Sequence, residues 1–432
     1  MKSLLRNAAV FFCKELKKRD IAIEDGVVLS IADSISEDGF DYVIDYSNKV
    51  IVPGLVDVHV HLREPGFSYK ETIRTGSEAG ARGGFTALCA MPNLNPVPDS
   101  VTHLQEELDI IKNTAVIPVY PYGSITVAQK GEKLSDFAGM AKDVIAFSDD
   151  GVGVQADEMM RAAMQAAKKY GKMIVAHAED DTQLSGGYIH EGTYAKTHGH
   201  KGISSASEWM QVKRDIGLVR ETGAAYHVCH VSTKESVALI RAAKEEGLPV
   251  TCETAPHYLL LDDSLLKKDG RFRMNPPIRD KEDRDALIAG IQDGTVDMIA
   301  TDHAPHSAEE KSGGLTDSLN GIVGLETSFS VCYDGLVQTG IISFERLIEL
   351  MSLMPRKVFS IPGGLSVGEP ADITVLDLKE TYTINPDTFL SKGKSTPFAG
   401  WEVTGAPYAT YVKGECVWSK EEGIKTCKKT IS

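Results

Sequence analysis

Short apolar segments alternate with amphipathic stretches through the middle of the chain, and this alternation restricts the fold more than any other feature. Leu55 to Val60, Thr86 to Met91, Val116 to Tyr120, Val144 to Phe147, Met173 to Ala176, Ala225 to Val228, Pro249 to Cys252 and Asp297 to Ala300 read as eight strands. Between them, Asp157 to Tyr170, Lys234 to Glu246 and Lys281 to Gln292 carry apolar residues at helical spacing. Eight β/α units make the chain α/β and fit a TIM-type (β/α)8 barrel, in which chemistry sits at the C-terminal ends of the strands. A doubly wound open sheet is the alternative, but the Gly-rich loop expected after its first strand is absent.

The two ends of the chain read differently. Ile21 to Ile23 and Val27 to Ile31 flank Asp25-Gly26, a hairpin signal. Ala371 to Leu376 is strand-like, and Ala409 to Trp418 reads as a second hairpin. Residues 1–50 and 364–432 are therefore expected to form one small β-sandwich domain, with the barrel at 51–363 inserted between them.

Polar residues able to bind a metal recur where the apolar segments end. His59 and His61 stand at the end of the first, two positions apart, so that in an extended chain they share a face, with Arg63 next on it. Asp150 follows the fourth segment, His177 the fifth, His230 the sixth and Asp302 the eighth. All six ligand candidates thus fall at one end of the expected barrel. Imidazole and carboxylate at this number suit zinc or a similar divalent ion. Six exceed what one catalytic zinc needs, and Asp150 is placed to bridge two. A lone histidine is more often an ordinary hydrogen-bonded residue, and His103, His190, His198 and His200 are read so. His227 stands an odd number of positions from His230 and is read as structural; Asp149 is left open by spacing alone. Ser307 to Leu319, with Gly313-Gly314 and several charges, reads equally as a lid or as a solvated connection. Gly393-Lys394-Ser395-Thr396 lacks the upstream Gly of a phosphate loop and is set aside.

The 432-residue chain, 42% hydrophobic and 25% charged, has the composition of an ordinary globular enzyme. A net charge of -15 argues against nucleic acid or an anionic membrane as partner, and makes local cations such as Arg63 more telling. The seven cysteines form no CxxC pair, and Cys89, Cys229 and Cys252 read as buried thiols. No convincing leader and no spanning segment is seen, so a cytoplasmic location is expected.

The runs Asp57 to Gly66, Met91-Pro92-Asn93, Phe147 to Gly151, His227 to Ser232, Met274 to Pro277 and Ala300 to His306 resemble, in order, the motifs of the dihydroorotase family of the amidohydrolase superfamily. The resemblance covers about residues 20 to 418. It implies reversible cyclisation of N-carbamoyl-L-aspartate to L-dihydroorotate and water, a step of de novo pyrimidine (UMP) biosynthesis. It implies two zinc ions per subunit bridged by Asp150 and a hydroxide, with His59, His61 and Asp302 on one ion, His177 and His230 on the other, and Asp302 as general base. Relatives such as hydantoinases place a carboxylated lysine at the bridge, and positions 148–150 contain none. Arg63, Asn93 and His306, with His61 nearby, would bind the substrate carboxylate; Asn275 and the backbone at Asn320 and Gly321 would meet the ring amide and imide groups. Asn320 departs from the bulky apolar residue common there. A homodimer is expected, with aspartate transcarbamoylase the candidate macromolecular partner. The competing readings are a hydantoinase- or allantoinase-type cyclic amidase and an inactive structural homologue.

Overall fold

Strands β1 (Lys2–Phe12), β2 (Glu15–Glu24), β3 (Val27–Ala32), β4 (Tyr42–Asp45) and β5 (Val50–Pro53) open the chain in the computed structural model, which describes residues 1–425. The middle carries β6 (Leu55–Val60), β7 (Phe85–Ala90), β8 (Val119–Pro121), β9 (Gly123–Ser124), β10 (Phe147–Ser148), β11 (Ile174–Ala176), β12 (Ile189–His190), β13 (Gly202–Ile203), β14 (Tyr226–Val228), β15 (Val250–Thr254) and β16 (Met298–Ile299). The end supplies β17 (Ile373–Thr383), β18 (Glu402–Val412), β19 (Glu415–Ser419) and β20 (Gly423–Ile424). Cys427 and the last residues of the expected end domain lie outside the described residues.

Both chain ends enter one nine-stranded sheet, ordered β20-β19-β18-β17-β5-β1-β2-β3 with β4 beside β1. Its hairpins follow from turn chemistry. Asp25 and Gly26 join β2 to β3 with φ of 48° and 82°, and Lys413 and Gly414 join β18 to β19 with φ of 47° and 72°. Paired positive φ values match the right-handed twist of the flanking strands. The expected boundary at 50/51 falls inside β5, a fully buried Val-Ile-Val-Pro run between β1 and β17. The N-terminal contribution to this sheet therefore reaches Pro53.

The middle is α/β, and its named strands all pair in parallel. One ladder runs β6-β7-β8, a second β16-β15-β14-β11-β10-β9, and β12 pairs with β13 apart from both. Only Tyr122 separates β8 from β9, and its hydroxyl donates to the Val58 carbonyl at 2.8 Å. A parallel bridge joins Val60 to His303, and the His61 N–H donates to the His303 carbonyl at 2.8 Å. The expected strand at 116–120 begins later, at Val119, because Pro118 has no N–H to give. Alternate residues of successive strands, among them Val56, Val58, Ala87, Cys89, Val175 and Met298, pack into one buried cluster. Their neighbours, such as Leu55, Leu88 and Ile174, pack against the helices instead.

The helices Asp157–Lys169, Lys234–Glu245 and Lys281–Asp293 lie where their periodicity places them. The first buries Met160, Ala163, Met164 and Ala167, one stripe at helical spacing. Thr233 and Asp280 cap the other two by accepting from the backbone N–H three residues on. Among the described residues, no helix is long and apolar enough to cross a membrane.

Candidate active site

The ligand candidates converge beyond the C-terminal ends of the parallel strands. His59 lies within β6 and is fully buried; His61 lies just past its end. Their Nε2 atoms approach Asp302 Oδ1 at 3.5 and 3.1 Å. Asp150 sits at the centre. Its Oδ1 is 3.3 Å from His59 Nε2, 3.4 Å from His230 Nε2 and 3.6 Å from His177 Nδ1, and its Oδ2 is 3.4 Å from His61 Nε2. His177 Nδ1 and His230 Nε2 are 2.9 Å apart.

These atoms fit a divalent cation. His59 Nε2 and Asp150 Oδ1, which face one another, are buried yet make no hydrogen bond. Such orphans are costly unless something else satisfies them. His59, His61 and Asp302 form one group whose ligand atoms lie within 4.8 Å of one another; His59, Asp150 and His230 form a second. Burial opposes charge on Asp150, Asp302 and His177, but the attraction of their neighbours outweighs it. Asp150 is held well below the usual carboxylate range by His59, His177 and His230, and Asp302 is likewise lowered by His61 and His59. The His177 ring is pushed up to about 10 by Asp150 and Glu179, against the effect of burial.

Outer partners orient the rings. Glu253 accepts from His59 Nδ1–H at 2.6 Å, from His227 Nε2–H at 3.2 Å and from the His230 backbone N–H at 3.3 Å. That bond on Nδ1 leaves His59 Nε2 facing the cluster. Asn93 Oδ1 accepts from His61 Nδ1–H at 2.8 Å. Sequence reasoning missed Glu253 and Glu179, because a carboxylate inside a strand or loop gives no spacing signal until its partners are known. His227 lies on Glu253 rather than among the ligands. Asp149 faces away and accepts from the Ile125 and Thr126 backbone.

A cavity of about 280 Å³ opens over the cluster. All the expected site residues line it except His59, which lies deeper. Arg63 reaches it by a turn, not by strand alternation. Its φ is 61°, and His230 at 32° and Asp302 at 49° share the left-handed region, a strained arrangement typical of functional positions. Burial lowers the Arg63 guanidinium only to about 10, so it stays cationic at neutral pH. Its Nε donates to the Pro305 carbonyl at 3.3 Å. His306 Nε2–H donates to the Asn320 carbonyl at 2.7 Å, while its Nδ1 accepts from Lys70 at 3.2 Å. Burial and the charges of Arg63 and Lys70 lower this ring to about 3, so it is neutral. The Asn320 side chain turns away and accepts from Arg273 Nε at 2.6 Å. The segment Ser307 to Leu319 is pinned by Lys311, which donates to the Arg273 and Leu319 carbonyls at 2.9 and 2.7 Å, and by Glu310, which pairs with Lys70 at 3.0 Å.

Outside the site, His190 lies buried beside Arg279, and His198 and His200 stack on Tyr194. His103 pairs with Asp99 at 2.8 Å.

Comparison with known proteins gives a consistent result. A family model described as dihydro-orotase-like matches residues 48–236. The dihydroorotase of Bacillus cereus (strain AH820) is 49% identical over 408 residues, covering 94% of this chain and 95% of its own. That of Shouchella clausii (strain KSM-K16) is 50% identical over 406 residues, covering 93% and 94%. Among solved structures, the L-hydantoinase (dihydropyrimidinase) of Arthrobacter aurescens superposes with a TM-score of 0.89 at 28% identity, covering 98% of this chain and 97% of its own. A D-hydantoinase (dihydropyrimidinase) from Thermus sp. shares the fold at 24% identity, covering 98% and 97%, with a TM-score of 0.85.

Proposed function

The chain belongs to the dihydroorotase family, and we propose that it interconverts N-carbamoyl-L-aspartate and L-dihydroorotate by closing or opening one cyclic amide bond. The observation that carries this reading is the cluster of four imidazoles and two carboxylates directly beneath a cavity that also holds Arg63. The alternation of strands supports an eight-stranded barrel as scaffold: the Val60–His303 bridge links its first and last strands, and the β8–β9 run links the two ladders. The two chain ends would then form the β-sandwich domain beside it.

His59, His61 and Asp302 would hold one zinc ion, His177 and His230 a second, and Asp150 would lie between them. Such ions, when bound, polarise a carbonyl and make hydroxide available at neutral pH. In ring opening, Asp302 begins ionised, because its neighbours hold its carboxyl low against the effect of burial. It can take the proton of the attacking water and return it to the departing ring nitrogen, which becomes the carbamoyl NH2. Arg63 presents a planar fork to the substrate carboxylate, the geometry a lysine would not supply. Asn93 can add its Nδ2–H, since its Oδ1 already serves His61. His306 would trade its bond to the Asn320 carbonyl for one to the same carboxylate.

Hydantoinases share the scaffold, but the absence of lysine at 148–150 and the presence of Arg63 and Asn93 favour dihydroorotate. Turnover of L-dihydroorotate, hydantoin and allantoin by the purified protein tests the choice. Dihydroorotate should be opened in strong preference; equal or better use of hydantoin would overturn the reading.

A further inference from the structure

Asn275 lines the cavity and precedes Pro276 across a cis peptide bond. Its side-chain Nδ2 donates to both oxygens of Glu179, at 2.9 and 3.1 Å. An ionised carboxylate only accepts, so this pairing fixes which end of the amide is which. The remaining polar atom, Asn275 Oδ1, is buried and has no hydrogen-bond partner. A buried acceptor left unpaired is unfavourable until a donor arrives. Glu179 itself is set beside His177, its Oε2 lying 3.5 Å from His177 Nε2.

We infer that Glu179 is a positioning residue: it locks the Asn275 amide so that the oxygen, and not the NH2, is left to receive an N–H of the cyclic ureide. This rests on the proposed dihydroorotase reading and names the atom through which the ring is recognised. A ligand with an amide N–H at that point satisfies the orphaned oxygen; one with a carbonyl or an N-methyl group there meets an acceptor it cannot bond. Discrimination of this kind is strong, because the wrong ligand leaves a buried group unpaired. Glutamine at 179 removes the constraint, since its own NH2 can pair with Asn275 Oδ1 and allow the amide to turn over.

The test is a double-mutant cycle on the metal-loaded protein, with Glu179→Gln, Asn275→Ala and the pair, assayed with L-dihydroorotate and with its two ring N-methyl derivatives. Either single change should raise KM about tenfold, the pair should do no worse than Asn275→Ala, and both should lose discrimination against one of the N-methyl compounds. Metal content and thermal midpoint should match the parent. Additive effects of the two changes, or a normal KM in Glu179→Gln, would overturn the inference. A fall in metal content with KM unchanged would also do so, by assigning Glu179 to His177 instead. A parent protein that does not open dihydroorotate at all would instead refute the proposed function.

Discussion

Replacing Glu253 with glutamine changes one atom of a fully buried side chain and should weaken metal binding without touching a ligand. In the parent, one Glu253 oxygen accepts from His59 Nδ1–H at 2.6 Å and the other from His227 Nε2–H at 3.2 Å. Glutamine keeps one acceptor and turns an NH2 toward the other imidazole N–H. Either His59 or His227 must then change tautomer or leave a buried donor unpaired, at about 1–3 kcal/mol. The loss also includes the attraction of His59 and His227 that, against burial, holds Glu253 down at about 2. Shifted onto the metal equilibrium at 1.4 kcal/mol per decade, this is about a 10- to 100-fold loss of affinity, the size usual for outer partners of metal ligands. Titration of the apo protein with zinc against a competing chromophoric chelator, with melting curves on both proteins, measures it. Unaltered affinity in a folded Glu253→Gln protein would refute the idea that Glu253 sets the His59 ring for a metal.

Asp302→Asn should fold normally and lose turnover to background, since an amide cannot take the water's proton; appreciable residual activity in a metal-replete variant would remove Asp302 as base. Arg63→Lys should raise KM about 10- to 100-fold with a smaller effect on kcat, because the ammonium cannot match a carboxylate with two parallel bonds; an unchanged KM would place the carboxylate elsewhere. His190, away from the cavity, is lowered to about 4 by burial and the Arg279 charge. The unfolded chain therefore takes up the proton first, and the wild type should lose stability relative to His190→Asn as pH falls from about 6.5 through 4, by at most about 3 kcal/mol. A difference that stays constant between pH 7 and 4.5 in denaturant titrations would contradict this.

The strands and their order were readable because each is a short apolar run bounded by turn residues, and β6 coincides with the expected segment from Leu55 to Val60. Where ladders are interrupted by proline, as at Pro118, pattern alone overstates strand length. The placement of His59 and His61 on one side came from alternation, yet Arg63 arrives through a left-handed residue that no periodicity encodes. His306 is expected from the sequence to meet the substrate carboxylate; its N–H is directed at the Asn320 carbonyl, a contact across a loop that sequence spacing cannot reveal. Glu253 and Glu179 escaped notice for a related reason: a buried carboxylate is recognisable by what it touches, and here the partners lie 194 and 96 residues away for His59 and Asn275 respectively. The strand Val50–Pro53 straddles the expected 50/51 boundary because such an apolar run reads equally well as the last strand of one unit or the first of the next.

Metal content and ring opening measured on one preparation test the account most directly. Protein purified without chelators should carry bound zinc or a similar divalent ion, lose dihydroorotate hydrolysis when that ion is stripped, and recover it on addition of zinc. Undiminished turnover by demonstrably metal-free protein would contradict it.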